Sequence, residues 1–256
     1  QNLDSDQSIE FVNSCFRTVS PELHIQSREV IERAAERDPE NGDVLALITH
    51  VYLNEFSVGY NPSQTILDQA VTAAQRAVEL EPNSDRTHAA LMRAYFYQGK
   101  VPAALSEGER ALKINPHHPI RLVQHGYNLA LSGNWDEGLS LYKKALETMD
   151  MLPMQYFYPV FFDHYEKERY DDALKFLHKF GPPRLWLTHA CFAAVHGQTQ
   201  SLVDAEVALK EITVLLPDFE KDALGYLKRC IGSMESIEPL VDGIGKAGFT
   251  IPVGHS

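Results

Sequence analysis

The sequence predicts an all-α chain built as a stack of helical hairpins, and three observations carry that expectation. The phrases AVTAAQRAVELEP (70–82) and AALSEGERALKINP (103–116) superimpose with Pro82 and Pro116 34 residues apart, setting Ala70 and Ala77 on Ala104 and Ala111. A further copy runs from Gly138 through Ala145 to Pro153. Between these marks, apolar residues recur at helical spacing and are cut by tight turns. Self-similarity at such a period belongs to arrays in which each hairpin buries its apolar face against the next.

The elements follow in order. Residues 6–18 place Ile9, Val12, Phe16 and Val19 on one helical face, and the Ser20-Pro21 pair breaks that helix. Its partner spans 24–37 and closes at Asp38-Pro39. A helix over 43–55 carries Leu45, Ile48, Tyr52 and Phe56 on one side. The phrase FSVGYNPS (56–63) then reads as a long irregular connection, with Gly59 and Asn61-Pro62 as breakers. Pro39 to Pro82 is 43 residues, nine more than the period, and insertions in such arrays fall in loops. This loop is therefore a candidate contact surface.

The most regular units are 85–116 and 119–153. In the first, Leu91, Ala94 and Tyr95 lead to the turn at 97–100, and Ala103, Ala104, Ala111 and Ile114 line the second helix. In the second, Leu122, Gly126 and Leu129 lead to Gly133-Asn134-Trp135, followed by Gly138, Tyr142 and Ala145. Gly126, Ala104, Gly138 and Ala145 are where two helices approach most closely, because axis separation follows side-chain size. Past Pro153 the pattern loosens. Residues 154–170 are dense in aromatics, 171–180 restore an Ala-Leu rhythm, and Pro182-Pro183 opens another hairpin ending at Pro217. Residues 218–230 and 234–247 read as a terminal helix pair, with Pro239 at the start of the last helix or kinking it. Residues 249–256 read as frayed.

Composition narrows the function. The chain has 256 residues, 44% of them hydrophobic, enough for a sizeable core. No run of 18 or more apolar residues occurs, so no membrane span is expected. With 35 acidic against 23 basic residues the formal charge is −12, and lysines and arginines are scattered. Phosphate backbones are bound by basic surfaces, so nucleic acid is not an expected partner. Cys15, Cys191 and Cys230 lack CxxC spacing and sit among apolar residues, the setting of small hydrophobes in a reducing, cytoplasmic compartment. A Cys191–Cys230 bridge in a periplasmic protein is the alternative. The chain starts at Gln1 without a signal pattern, as a processed protein or an excised domain would.

The residues at 85–116 and 119–153 resemble the tetratricopeptide repeat family, whose signature runs aromatic, Leu-Gly/Ala, Tyr, then Ala, aromatic, Ala, Pro. The match is good at 64–82 and 182–217 and weakest at 6–39 and 154–180. His88 stands where the first aromatic is usual, Met92 where a small residue is, and Gly108 replaces the second-helix aromatic. The resemblance implies one right-handed solenoid over 1–256. It comprises an irregular first hairpin (1–39), a widened repeat (43–82), two regular repeats (85–153), two divergent ones (154–217), capping helices (218–248) and a tail (249–256), about six hairpins before the cap. The order of elements, the phrase LLPDF (215–219) and the closing ESIEPLVDGIGKAGF (235–249) also look like the C-terminal repeat region of bacterial multidomain signalling proteins. There the repeats follow an adenylate cyclase or a winged-helix activator domain. That likeness implies a regulatory or sensory appendage of a signalling or transcription-regulatory protein.

In the family, first helices line a concave groove that binds a peptide or a partner domain. Carried onto this chain, the groove positions are His50 and Asn54, then Arg86, Ala89, Arg93 and Tyr97, then Val123, Tyr127 and Leu131. Arg86 and Arg93 lie seven residues apart, two turns on one face, and can grip a carboxylate. The clamp of chaperone-binding members is not reproduced, because Ala46, Ala89 and Val123 occupy sites it fills with polar residues.

Catalytic motifs such as GxxxxGK[ST], HExxH and GxSxG are absent from the sequence, and no cofactor is implied. His50, His88, His125 and His189 fall in first helices, where facing histidines bind metals in some proteins but more commonly pack. His117-His118 reads as a solvated turn. The aromatic cluster Tyr156, Phe157, Tyr158, Phe161, Phe162 and Tyr165 is mostly core, with one or two rings free to reach a groove. The leading expectation is a non-enzymatic interaction module whose partner is a protein, a peptide or its own N-terminal effector domain. A homo-oligomerising scaffold such as a homodimer, and an enzyme with a site near 154–170, are the alternatives.

Overall fold

The computed structural model describes residues 3–16, 20–149, 152–232 and 234–251. Among these residues the chain forms fourteen α-helices and no strand. It divides into two compact units, Gln1–Asp150 and Met151–Ser256, next to the point where the repeat pattern loosens.

Unit 1 is four consecutive hairpins: α1 (Ser5–Cys15) with α2 (Pro21–Arg37), α3 (Gly42–Val58) with α4 (Gln64–Leu80), α5 (Asp85–Tyr97) with α6 (Val101–Ile114), and α7 (Pro119–Leu131) with α8 (Trp135–Leu146). The first helices α1, α3, α5 and α7 touch in succession and form an inner layer. Each second helix packs on its own partner, and α2, α4 and α6 also pack on the first helix of the next hairpin. The core between the layers includes Val12, Ile31, Val44, Leu47, Val51, Leu53, Ile66, Ala70, Ala74 and Leu91.

Local chemistry sets the boundaries. Asp4 makes a capping box with Gln7, and the side chains of Ser20, Asn41, Ser63 and Ser84 each accept from an amide of the first turn. Ser20-Pro21 therefore starts α2 as well as separating it from α1. Proline has no N–H to forfeit in a first turn, so the helix begins three residues earlier than its apolar pattern suggests. The connection expected at 56–63 is shorter than that: α3 runs on through 56–58 to Val58, where Gly59 (φ 95°) ends it and leaves 59–63 between α3 and α4. The widening of this repeat goes mainly into helix length, 17 residues in both α3 and α4 against 13 and 14 in α5 and α6. Burial of Ser57 and Val58 is the reason, since packing extends helices beyond their propensity. Val19, expected on the face of the first helix, lies outside the described residues.

The expected close approaches are present. A Cβ on Gly126 would stand 2.8 Å from the Gly138 carbonyl oxygen, and one on Gly138 2.6 Å from that of Gly126, while Ala104 and Ala145 are fully buried. Two of the three departures from the repeat signature, Gly108 and Met92, compensate each other with the help of His125. Where the aromatic is missing at Gly108, a Cβ would collide with the His125 ring and with Met92 Sδ, so those two side chains fill the space. His88, in place of the other aromatic, reaches Glu107 (Nδ1 to Oε2, 2.5 Å) and the Pro82 carbonyl (2.9 Å).

Unit 2 begins with a 3-10 turn (Met154–Phe157), then α9 (Tyr158–Glu166) and α10 (Tyr170–Phe180), then α11 (Trp186–Gln198) and α12 (Leu202–Leu215). A second 3-10 turn (Phe219–Lys221) precedes α13 (Ala223–Ile231) and α14 (Met234–Lys246). Hairpin α9/α10 joins α11/α12 through α10 and α11, and α14 packs along α11. Pro239 lies inside α14 rather than at its start. All six clustered aromatics are at most 7% exposed in the folded chain. Tyr158 and Phe162 stack at 5.7 Å, and Phe161 and Tyr165 at 5.6 Å. The tail is not all frayed: Phe249 lies 5.7 Å from the Phe219 ring and Ile251 is buried, whereas 252–256 lie outside the described residues.

Cys15, Cys191 and Cys230 are buried thiols, and no disulfide joins Cys191 to Cys230. Burial pushes the Cys191 thiol well up and Cys230 up to about 12. Among the described residues no helix is long and apolar enough to cross a membrane, and no cluster of three His, Cys, Asp or Glu side chains is arranged to hold a metal.

Candidate binding face of the first unit

The face of α3, α5 and α7 in unit 1 is lined by polar side chains that are unusually well buried. His50 and Asn54 are one turn apart on α3, and Arg93 on α5 meets both: its Nη2 donates to Asn54 Oδ1 at 2.7 Å and its Nη1 faces His50 Nδ1 at 3.4 Å. Exposures are 8%, 5% and 6% for His50, Asn54 and Arg93. The guanidinium carbon also sits 5.6 Å from the centre of the Tyr97 ring, a cation–π distance. Such a buried polar cluster specifies one arrangement of the helices only if its members satisfy one another, as they do here.

Electrostatics fix the state of His50. Burial is the largest influence and pushes its pKa well below the ordinary 6.5, and the positive charges of Arg93, Arg121 and Arg86 push it further down. The imidazole is neutral at pH 7, and its Nδ1 can accept from Arg93. Arg93 touches His50, and the charges of Arg121 and Arg86 are felt there as well, in a chain whose formal charge is −12.

Each arginine is steered differently. Arg86 pairs with Asp43 at the start of α3 (2.9 Å) and is half-buried. Arg121, on α7, donates through Nε to Asp85 Oδ2 (2.8 Å) and through Nη1 to Gln124 Oε1 (2.9 Å). Of the remaining expected groove residues, Tyr127 lies 6.1 Å from the Phe96 ring, which in turn touches Tyr97 at 6.0 Å, so an aromatic path links α7 to the Arg93 cluster. Ala89, Val123 and Leu131 are buried on α5 and α7. His50, Asn54, Arg93 and Tyr97 therefore form one cluster, Tyr127 connects to it through Phe96, Arg86 borders it, and Leu131 adds buried apolar surface on α7.

Sequence reasoning missed Arg121, Gln124, Asp43, Asp85 and Phe96. The only available signal was periodic: Asp85 and Arg121 are 36 residues apart, near the repeat length, and opposite charges at that offset meet across adjacent first helices. It also missed a knot at the far end of α3. There Glu55, 6% exposed, accepts from Arg28 Nη1 at 2.8 and 3.0 Å and contacts His24 Nε2 at 3.1 Å. The Tyr52 hydroxyl donates to Glu32 (2.9 Å) under the same Arg28. Burial opposes ionisation of Glu55, but hydrogen bonds from His24 and Arg28, with the Arg28 charge, outweigh it and hold the carboxyl below its usual range.

No protein-family model matches the chain, and no curated protein matches it in sequence. Solved structures do match in fold. A chain of the APC/C hetero-tetramer Cut9–Hcn1 aligns over 88% of this chain and 42% of its own length, with a TM-score of 0.61 and 16% identity. The PilF protein of Pseudomonas aeruginosa aligns over 83% and 94% (TM-score 0.49, 13% identity), and the repeat protein TTC0263 of Thermus thermophilus over 88% and 98% (TM-score 0.46, 15% identity). This chain thus spans less than half the length of the Cut9–Hcn1 chain it matches. Its fold is the tetratricopeptide-type array of helical hairpins.

Proposed function

We propose that the chain is a protein-interaction module and that the α3–α5–α7 face of unit 1 recognises an acidic segment of its partner, a free C-terminal carboxylate or an Asp/Glu side chain. The observation that carries this reading is the buried cluster of Arg93 with His50 and Asn54, whose His50 also feels the charges of Arg121 and Arg86. A carboxylate docked there gains charge-assisted hydrogen bonds in a setting largely removed from water. The binding is non-catalytic, a role supported by the inward packing of the aromatic segment at 156–165. The closing phrase at 235–249 supports a place in a larger regulatory protein, where the partner is the chain's own effector domain.

The test is fluorescence polarisation with labelled peptides that end in Asp/Glu-rich sequence and a free carboxylate, against neutral amidated controls. The acidic peptides bind, and Arg93→Gln and Arg86→Glu each weaken them at least tenfold, while Arg33→Glu on the exposed side of α2 has no such effect. Equal affinity for neutral peptides, or retained binding in both groove variants with unchanged helicity, overturns the reading.

Self-association is a second reading, favoured by the outward side of α12. Val203, Val207 and Val214 are 77%, 59% and 63% exposed on one stripe. Glu206 and Lys210 flank it one turn apart, so an antiparallel second copy would set each lysine against the other's glutamate. Light scattering at tens of micromolar decides, and a monomer there counts against it.

A further inference from the structure

In unit 2 the positions that line the inner face are already covered, and by the chain itself. Counted back from the hairpin turn, Tyr97 at the end of α5 corresponds to Glu166 in α9 and Gln198 in α11. In that register Ala89 becomes Tyr158 and Ala190, Arg93 becomes Phe162 and Ala194, and Phe96 becomes Tyr165 and Gly197. α14 rests on four of these positions, Tyr158, Tyr165, Ala194 and Gly197. The Tyr158 hydroxyl donates to the Ser236 carbonyl at 2.7 Å and the Tyr165 hydroxyl to that of Pro239 at 2.9 Å. A Cβ on Gly197 would collide with the Gly243 carbonyl, and one on Gly243 would lie 2.7 Å from the Ala194 oxygen. At the rim, Gln198 donates to Asp242 (2.9 Å) and accepts from Lys246 (2.8 Å).

α14 owes its helicity to this seat. It has 13 residues, at the lower limit for a helix in isolation, and it contains Pro239, Gly243 and Gly245. What it presents to α9 and α11 is a clean stripe of Ser236, Ile237, Leu240, Gly243 and Ile244, all buried, with Glu235, Glu238, Asp242 and Lys246 outward. It follows α13 through Gly232 at φ 83°, a backbone state that accommodates a sharp change of direction.

We propose that the inner face of unit 2 is a helix-binding groove, that α14 is its resident occupant, and that a partner presents an amphipathic helix of the same make. That helix has aliphatic residues one turn apart, a small residue where it crosses Gly197, and two carbonyls in reach of Tyr158 and Tyr165. Entry of the partner helix releases α14. Recognition is by close backbone approach and two hydroxyls, so it is independent of the arginine cluster of unit 1.

The probe is a labelled synthetic peptide of residues 232–249, added to the full chain. Gly243→Leu unseats α14, seen as fast amide exchange over 234–246 with α9–α12 still protected, and this variant takes up the peptide at least tenfold more tightly than the unaltered chain. A peptide bearing Gly243→Leu does not bind, and Arg93→Glu leaves uptake unchanged. The milder Asp242→Ala/Lys246→Ala chain, which loosens only the rim, shows intermediate uptake. The proposal is overturned by a Gly243→Leu chain that keeps α9–α12 protected yet ignores the peptide. It is also overturned if that variant loses protection throughout α9–α12 while the rim variant takes up no peptide, since α14 is then part of the core.

Discussion

The inner faces of the two units are built on equivalent helices and hold opposite contents. In unit 1 the corresponding positions include Ala89 and Phe96, but Arg93 among them gathers the polar His50 and Asn54 around it. In unit 2 they include Tyr158, Phe162, Tyr165, Ala194 and Gly197, and α14 covers Tyr158, Tyr165, Ala194 and Gly197. The contrast teaches where a hairpin array is constrained and where it is free. Contacts between layers admit little change, as the Gly126–Gly138 approach shows, because backbone meets backbone there. Inner-face positions face the neighbouring first helix and whatever lies over it, so an arginine, a phenylalanine and an alanine can stand at the same place.

The largest expected effect tests whether the two units are separate stability units. The chain has two tryptophans, Trp135 in unit 1 and Trp186 in unit 2, so single-tryptophan variants report each unit in a denaturant titration. Phe161→Ala removes a fully buried ring and costs about 3–5 kcal/mol. It shifts the Trp186 transition and leaves the Trp135 transition in place; a joint shift means one cooperative block. Next, Glu55→Gln leaves Arg28 and His24 facing a neutral amide and costs unit 1 about 1–3 kcal/mol, read at Trp135.

Gly108→Phe restores the family's aromatic but drives it into His125 and Met92, for about 1–2 kcal/mol of destabilisation. Adding Met92→Ala recovers most of that, and purely additive losses would break the account of mutual compensation. The smallest effect is a pH slope. His50 is depressed on folding, so below pH 6.5 the unfolded chain binds protons that the folded one refuses, and unit 1 loses stability as pH falls. The denaturation midpoint of unit 1, read at Trp135, therefore falls between pH 7 and pH 6, and His50→Gln flattens that fall. His125, also depressed by burial, adds to the slope in the same direction. Glu55 works lower: its contribution is present above the usual carboxylate range and disappears as pH drops through its lowered value.

Much of the fold was legible because the period and the proline marks are local facts of the chain. The helix boundaries were less so. Ser20-Pro21 has one meaning as a break and another as a cap and first turn, and only the direction of the following chain separates them. The helix through Ser57-Val58 depends on burial, which no window of sequence contains. The inner face was half legible: the groove positions carried over from the family resemblance named His50, Asn54 and Arg93, but the pairings Arg86–Asp43 and Arg121–Asp85 require knowing which first helices are neighbours. The seat of α14 was hidden for the same reason. Its glycines and Pro239 look like weaknesses until the helix they lie against is known.

The exchange among Gly108, Met92 and His125 has a consequence for how this array can change. Tandem repeats ordinarily grow by duplication, each copy interchangeable with its neighbour. Here one hairpin supplies a vacancy and the next supplies the ring that fills it, so neither is complete without the other. A graft of 85–116 next to a consensus repeat would leave a hole, and a graft of 119–146 behind one would meet an aromatic where its histidine must go. These two hairpins are heritable only as a pair, and the unit of duplication has become two repeats long.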